Sequence, residues 1–316
     1  MNYVSDIAAS DEPAVRAWSP GRPVPLGTIL SGLRHGAGDP TWQHDSSGIW
    51  RASRTPDGPV TMQHTLMPSE AGDTVTTRAW GPGSDWLLEH VPDLLGASDD
   101  PDGFVPDHPV LHDAHRRARH FRVPRSGLVI ESLVPVIIEQ RVTGKQAFTA
   151  YRTLMRRYGE PAPGPGAARR LVVPPAAATW RRVPSWEWLR AGVDASRADT
   201  LMRALVVAAR LEDCVHLPAE EARRRLRAVP GIGVWTAAEV AQRALGDADA
   251  VSVGDYHVAK NITYALEGRV GDDARMLELL QPYAGHRFRV QRLIELAGIV
   301  RPRRGPRLSV PTHLPR

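Results

Sequence analysis

The sequence predicts an α+β protein, with an N-terminal antiparallel-sheet domain followed by a mostly helical region. Three observations lead there. Short β-branched and aromatic segments, separated by Gly and Pro turns, fill residues 25–90. The connector ASDDPDGFVPDHP at 97–109 ends that pattern, and beyond it apolar residues recur at helical spacing. The charge changes sign nearby: residues 1–112 hold six Arg, no Lys and 15 acidic residues, whereas 113–316 hold 34 basic against 20 acidic ones. The chain therefore divides into a loose tail (1–24), an α+β domain (25–112), a helical region (113–300) and a basic tail (301–316).

Each element has its local reason. Residues 1–24 are polar and proline-bearing, which suits a tail. A helix is expected at 26–34, strands at 47–54, 59–66 and 73–80, and a second helix near 84–90. Turns at Asp57-Gly58-Pro59, Ala71-Gly72-Asp73 and Gly81-Pro82-Gly83 punctuate the strands. The acidic charge of this domain assigns it a structural role. In the helical region, 126–141 carries Leu128, Ile130, Leu133, Val134, Ile137 and Ile138 at helical spacing. Thr143-Gly144-Lys145 interrupts the pattern, and 145–158 resumes it with Phe148, Tyr151, Leu154 and Met155. Six prolines between 159 and 184 mark a long irregular linker. Helices follow near 185–191, 196–212, 218–228, 234–245, 255–267, 273–280 and 285–299.

Composition excludes several classes. A single cysteine, Cys214, rules out a disulfide framework, a four-cysteine zinc site and a cysteine-ligated iron–sulfur cluster. No apolar run approaches the ~18 residues of a membrane span, and the segment 128–138 carries Glu131. The N-terminus lacks the basic-then-apolar layout of a signal peptide, so a cytoplasmic protein is expected. The twelve His show no metal-binding spacing such as HExxH, so no metal site is expected.

The most informative stretch is 226–245, LRAVPGIGVWTAAEVAQRAL. Pro230 cannot continue the helix before it, and Gly231 and Gly233 tolerate backbone conformations that a Cβ would disfavour. With Ile232 pointing into the helix pair, this is a tight apolar hairpin. Its glycines let a phosphate approach bare N–H groups at the start of the next helix. An ordinary helical hairpin would need no more than such glycines. Leu226, Val229, Pro230, Gly231, Ile232, Gly233, Trp235, Thr236 and Ala237, however, together resemble the helix–hairpin–helix signature of DNA-repair glycosylases. Downstream, Val251-Ser252-Val253-Gly254-Asp255-Tyr256-His257 matches the family's Gly/Pro-rich loop and aspartate, with Asp255 lying 22 residues after Gly233. Within this superfamily the chain is most similar to the bacterial 3-methyladenine DNA glycosylase II branch over roughly 125–300. The N-terminal domain fits in outline.

The resemblance implies the chemistry. Breaking the bond between C1′ and a base passes through an oxocarbenium-like state that a carboxylate stabilises, and the nucleotide must first leave the stack. Asp255 is the catalytic candidate, and the same residue suits a helix N-cap; both roles can hold together. Bifunctional relatives carry a Schiff-base lysine at the position of Trp235, which implies an enzyme without lyase activity. Lys260, five residues past Asp255, reads as facing away from it. Trp235 and Tyr256 are candidates for the base pocket, where electron-poor alkylated purines stack on aromatic faces. Glu239 occupies a position where relatives place an aromatic; it either pairs with a cationic base or faces solvent. The DNA contact is expected from Gly231, Ile232, Gly233 and Thr236, with Arg227 and His257 beside them. Gln140-Arg141 stands where the wedge that fills the gap of a flipped base is expected. The branch tends to use an apolar wedge, so Arg141 departs from it.

Relatives often hold a monovalent cation on hairpin backbone carbonyls, here those of 229–234; the chemistry asks for no other cofactor. Arginine runs at 116–125, 223–227 and 287–292 fit a DNA surface but also fit solvated faces. The expected function is a monofunctional glycosylase acting on damaged double-stranded DNA, alkylated purines first, as a monomer associated with the nucleoid. Two alternatives stay open: a glycosylase for oxidised or deaminated bases, and a non-catalytic hairpin-bearing DNA-binding protein.

Overall fold

Strands whose side chains alternate in burial build the N-terminal layer. The computed structural model describes residues 12–302. Its main sheet holds β1 (Ala14–Trp18), β2 (Trp42–Asp45), β3 (Gly48–Thr55), β4 (Gly58–Met67) and β5 (Thr74–Trp80), all antiparallel, in the order β1-β5-β4-β3-β2. The tight β3–β4 hairpin sets Thr55 opposite Gly58, as the Asp57-Gly58 turn signal requires. The three expected strands are therefore present and β2 joins them. The tail expectation is corrected for Ala14–Trp18, which pairs residue by residue with β5 along Ala14↔Ala79 to Trp18↔Val75. Its AVRAW pattern alternates half-buried and exposed positions, which suits an edge strand. The rest of the expected tails, 1–11 and 303–316, lies outside the described residues.

Both faces of the sheet are covered. Helix Ser84–Leu94 lays Leu87, Val91 and Leu94 on Ile49, Val60, Val75 and Ala79. The opposite face carries Trp50, Ala52 and Trp80, and Ala162, Leu171 and Val173 close over them. The stretch expected to be a linker is thus corrected: its first half is a lid on the sheet. Thr61 Oγ1 donates to Pro163 C=O at 2.7 Å, Gln43 Nε2 to Arg169 C=O at 2.5 Å, and Arg169 lies 3.9 Å over the Trp50 ring. The prolines break regular structure, while the three apolar side chains between them supply the burial.

Helix Val129–Glu139 is the centre of the helical region and is buried along nearly its whole length. The Glu212 carboxylate accepts from the first amides, Val129 N–H at 2.8 Å and Ile130 N–H at 2.9 Å. Glu131 joins this helix to the sheet, accepting from Arg51 Nη2, Ser53 Oγ and Arg54 N–H. Around it pack helices Gly144–Tyr158, Ala195–Val206, Ala219–Arg227 and Val234–Val240, which share one apolar core. Helices Pro109–Arg117, Val258–Glu267, Asp273–Leu280 and Arg287–Leu296 form a second. The loop from 246 to 257 crosses from the first core to the second, and Asp255 sits near its end. Among the described residues, no helix is long and apolar enough to cross a membrane.

Candidate functional site

The hairpin between helices Ala219–Arg227 and Val234–Val240 is built from the inside out. Leu226, Val229 and Ile232 are buried in the first helical core, and Ile232 N–H closes the turn on Val229 C=O at 3.0 Å. Ile232 is thus a core anchor by its side chain. The two glycines differ. Gly231 has φ +98°, and a Cβ on it would stand 2.2 Å from Thr200 Oγ1. Gly233 has ordinary extended backbone, φ −90° and ψ −174°, and a Cβ there would meet nothing within 4 Å. The expectation that both need glycine for conformation is corrected: Gly233 faces open space. No side chain caps the helix it starts, so the first amides of Val234–Val240 are left for solution or an anion.

The loop after helix Val129–Glu139 is docked on this hairpin. Gln140 Nε2 donates to Gly231 C=O at 3.1 Å and to Thr236 Oγ1 at 2.8 Å. Thr236 is buried, so its hydroxyl is an internal tie. Arg141, at the tip, is exposed with φ +57°, a backbone conformation that costs a non-glycine residue about 1–3 kcal/mol. Arg203 Nη1 donates to Pro230 C=O at 3.0 Å. Two hairpin carbonyls therefore already accept side-chain donors.

Asp255 follows a turn in which its N–H bonds Ser252 C=O at 3.3 Å and Gly254 takes φ +88°. Its Oδ1 accepts from His257 N–H at 2.7 Å and Val258 N–H at 2.9 Å, at the start of helix Val258–Glu267. The N-cap expectation is corrected in position: His257 is the N-cap residue, and Asp255 holds the helix start from two residues outside it, through the amides of His257 and Val258. Among the described residues no hydrogen bond reaches Oδ2, so half of the carboxylate is free to face a reacting group. Tyr256 beside it is 64% exposed, with Lys260 Nζ 3.7 Å from its ring centroid and His257 edge-on at 4.8 Å. Trp235 is half-buried; its Nε1 is buried without a hydrogen-bond partner, and it makes no ring contact with Tyr256.

Glu239 does not face solvent, which corrects one of its two expected readings. It is 8% exposed, with Oε2 2.6 Å from Arg243 Nη1 and Oε1 accepting from Ser252 Oγ at 2.5 Å. Arg243 also donates to Gly32 C=O at 3.0 Å. Burial opposes its charge, but Glu239 and then Glu139 hold its pKa above the ordinary value. Sequence reasoning gave no role to Ser252, to Arg243 or to Gln242 and Gln291, whose amides donate to the Ser252 hydroxyl oxygen. Only Arg243 had a readable signal, four residues after Glu239, in the π-helical turn Ala241–Leu245 that continues the helix.

The arginine runs divide. Arg227 is exposed and has no carboxylate partner among the described residues, whereas Arg223 pairs with Asp247. In the last helix Arg287 pairs with Asp249, Arg289 with Asp99 and Arg292 with Glu295, so each has a carboxylate partner, though only the Arg289 pair is buried.

No protein-family model and no curated protein matches this chain. Solved structures do. A 3-methyladenine DNA-glycosylase from Archaeoglobus fulgidus is 17% identical, with 89% of this chain and 97% of that one covered at a TM-score of 0.69. MBOgg1, solved with a low-affinity DNA ligand, is 16% identical over 91% and 98% of the two chains at 0.67. The 8-oxoguanine glycosylase/lyase of Clostridium acetobutylicum, bound to double-stranded DNA, is 12% identical over 91% and 98% at 0.63. The chain therefore shares the fold of these three structures over 89–91% of its length.

Proposed function

We propose that a chain with this fold, an open hairpin and a half-free aspartate is a DNA glycosylase that hydrolyses the bond between C1′ and a damaged base, alkylated purines first. The observation that carries the reading is the pairing of the Gly233 opening with Asp255, whose Oδ1 is fixed on the helix start while Oδ2 stays unspent. A phosphate on the hairpin amides holds the duplex without reading its sequence. The flipped sugar then meets a carboxylate already pointed by its own helix. Oδ2 stabilises the cationic sugar and orients the attacking water, and an alkylated purine with a formal positive charge leaves without a strong acid. Trp235 and the exposed Tyr256 offer aromatic faces for the extruded base, and Arg141 fills the gap it leaves.

Trp235 in place of a Schiff-base lysine supports hydrolysis without strand cleavage. Lys260 lies over Tyr256, where its charge suits a phosphate or a stacked face. No cofactor is needed. A monovalent cation on the hairpin would share the carbonyls that Arg203 and Gln140 already contact, which the second lone pair of each oxygen permits. The partner is damaged double-stranded DNA, engaged by a single chain. Oxidised guanine is the second substrate reading, since the Clostridium structure sharing this fold is named for that lesion.

Duplexes carrying single lesions, treated with alkali after incubation, test this reading. The wild type is expected to leave alkali-labile abasic sites, with no breaks before alkali. Asp255→Asn should excise about 100- to 1000-fold more slowly while binding abasic duplex as before. Binding without excision across alkylated, oxidised and deaminated bases would leave a non-catalytic hairpin protein.

A further inference from the structure

Ser252 is completely buried, and every polar atom it has is used. Its N–H donates to Gln291 Oε1 at 3.1 Å, and its C=O accepts from Asp255 N–H at 3.3 Å. Its hydroxyl oxygen receives Gln242 Nε2 at 2.9 Å and Gln291 Nε2 at 3.2 Å. Both amide orientations are fixed elsewhere: Gln242 Nε2 also meets Ala250 C=O at 2.6 Å, and Gln291 Oε1 is taken by Ser252 N–H. With two donors aimed at Oγ, the hydroxyl proton has one acceptor left, Glu239 Oε1. Glu239 is in turn held by Arg243.

We infer that Glu239 and Ser252 are positioning residues that fix the Asp255 turn to the helix whose N-terminus forms the hairpin opening. Glu239 lies on Val234–Val240, six residues beyond Gly233, and Ser252 begins the turn that ends in Asp255. One rigid helix therefore sets the distance between the phosphate anchor and the carboxylate. Both carboxylate oxygens of Glu239 are occupied by Arg243 and Ser252, and the Ser252 hydroxyl is enclosed, so their part is to position the turn. The inference rests on the glycosylase reading for its catalytic consequence, but the positioning itself is a property of the folded chain.

Ser252→Ala removes the hydroxyl and keeps the backbone bonds. The first readout needs no activity: hydrogen exchange at the His257 and Val258 amides, which Asp255 Oδ1 holds. These should exchange about tenfold faster than in the wild type, with the amides in the middle of helix Val129–Glu139 unchanged. The second readout is single-turnover excision, expected to fall about tenfold while affinity for abasic duplex stays within about twofold. Glu239→Gln keeps an acceptor for Ser252, so it should lose less than Ser252→Ala; it also supplies the test if the alanine variant fails to fold. The double variant should be no slower than Ser252→Ala, because both changes break one path. Wild-type exchange and wild-type rate in a folded Ser252→Ala would overturn the inference. Faster exchange in a protein whose wild type excises nothing would keep the positioning and sink the glycosylase reading instead.

Discussion

In the last helix Arg289 is buried against Asp99, 2.6 Å away, with both side chains at most 3% exposed; before the hairpin Arg227 stands in solvent with no carboxylate partner among the described residues. Arg287 and Arg292 are also paired, with Asp249 and Glu295, but nearer the surface. The difference teaches how to read a basic run. A paired arginine has its field cancelled locally and serves the fold, while an unpaired one keeps its field for phosphates. The acidic N-terminal third supplies part of the cancellation, since Asp99 belongs to it. The net positive charge of residues 113–316 is therefore not one surface.

Removing each kind of arginine separates the two uses, and the larger effect falls on the buried one. Arg289→Ala strands the Asp99 carboxylate, which also accepts Val123 N–H at 2.9 Å. Loss of one partner of a buried pair costs about 3–5 kcal/mol. Urea denaturation is expected to show that loss at neutral pH. A change below about 1 kcal/mol would mean that Asp99 is solvated in solution, and the contrast between the runs would collapse.

The hairpin glycines repeat the contrast on a smaller scale. Gly231→Ala must accept a positive φ and push Thr200 aside, for an expected cost of about 1–3 kcal/mol in stability. Gly233→Ala should cost no more than about 1 kcal/mol, as an Ncap glycine replaced by a residue with room for its Cβ. Its effect should appear instead in DNA affinity, because the added methyl covers the approach to the helix amides. Thermal melts and abasic-duplex binding on the same two variants distinguish the roles. Equal stability losses would show that the two positions are alike.

Much of this was readable in advance, for local reasons. The helical spacing of 126–141 and the Asp57-Gly58 signal act over a few residues, and both elements stand where the pattern puts them. The hairpin and the hold of Asp255 on its helix start are likewise encoded within short windows. The lid over the sheet was not readable, because Ala162, Leu171 and Val173 are scattered among prolines with no period, and only Trp50 and Trp80 give them a purpose. The tie between Glu239 and Ser252 was hidden for the same reason. The two residues are 13 apart, and no local rule pairs a helix carboxylate with a loop serine. Glu239 was placed at the site by resemblance, but what it touches came only from the fold.

The smallest effect bears most directly on DNA. Arg227→Ala removes a solvent-exposed cation with no partner among the described residues, so stability should stay within about 0.5 kcal/mol. If Arg227 sits over a phosphate, the plot of log affinity against log salt should become less steep by about one unit. Affinity at low salt should fall only a few-fold, and by the same factor for damaged and undamaged duplex, because a phosphate contact carries no base information. A salt slope equal to that of the wild type would place Arg227 on a solvated face. The hairpin would then hold its phosphate by backbone amides alone.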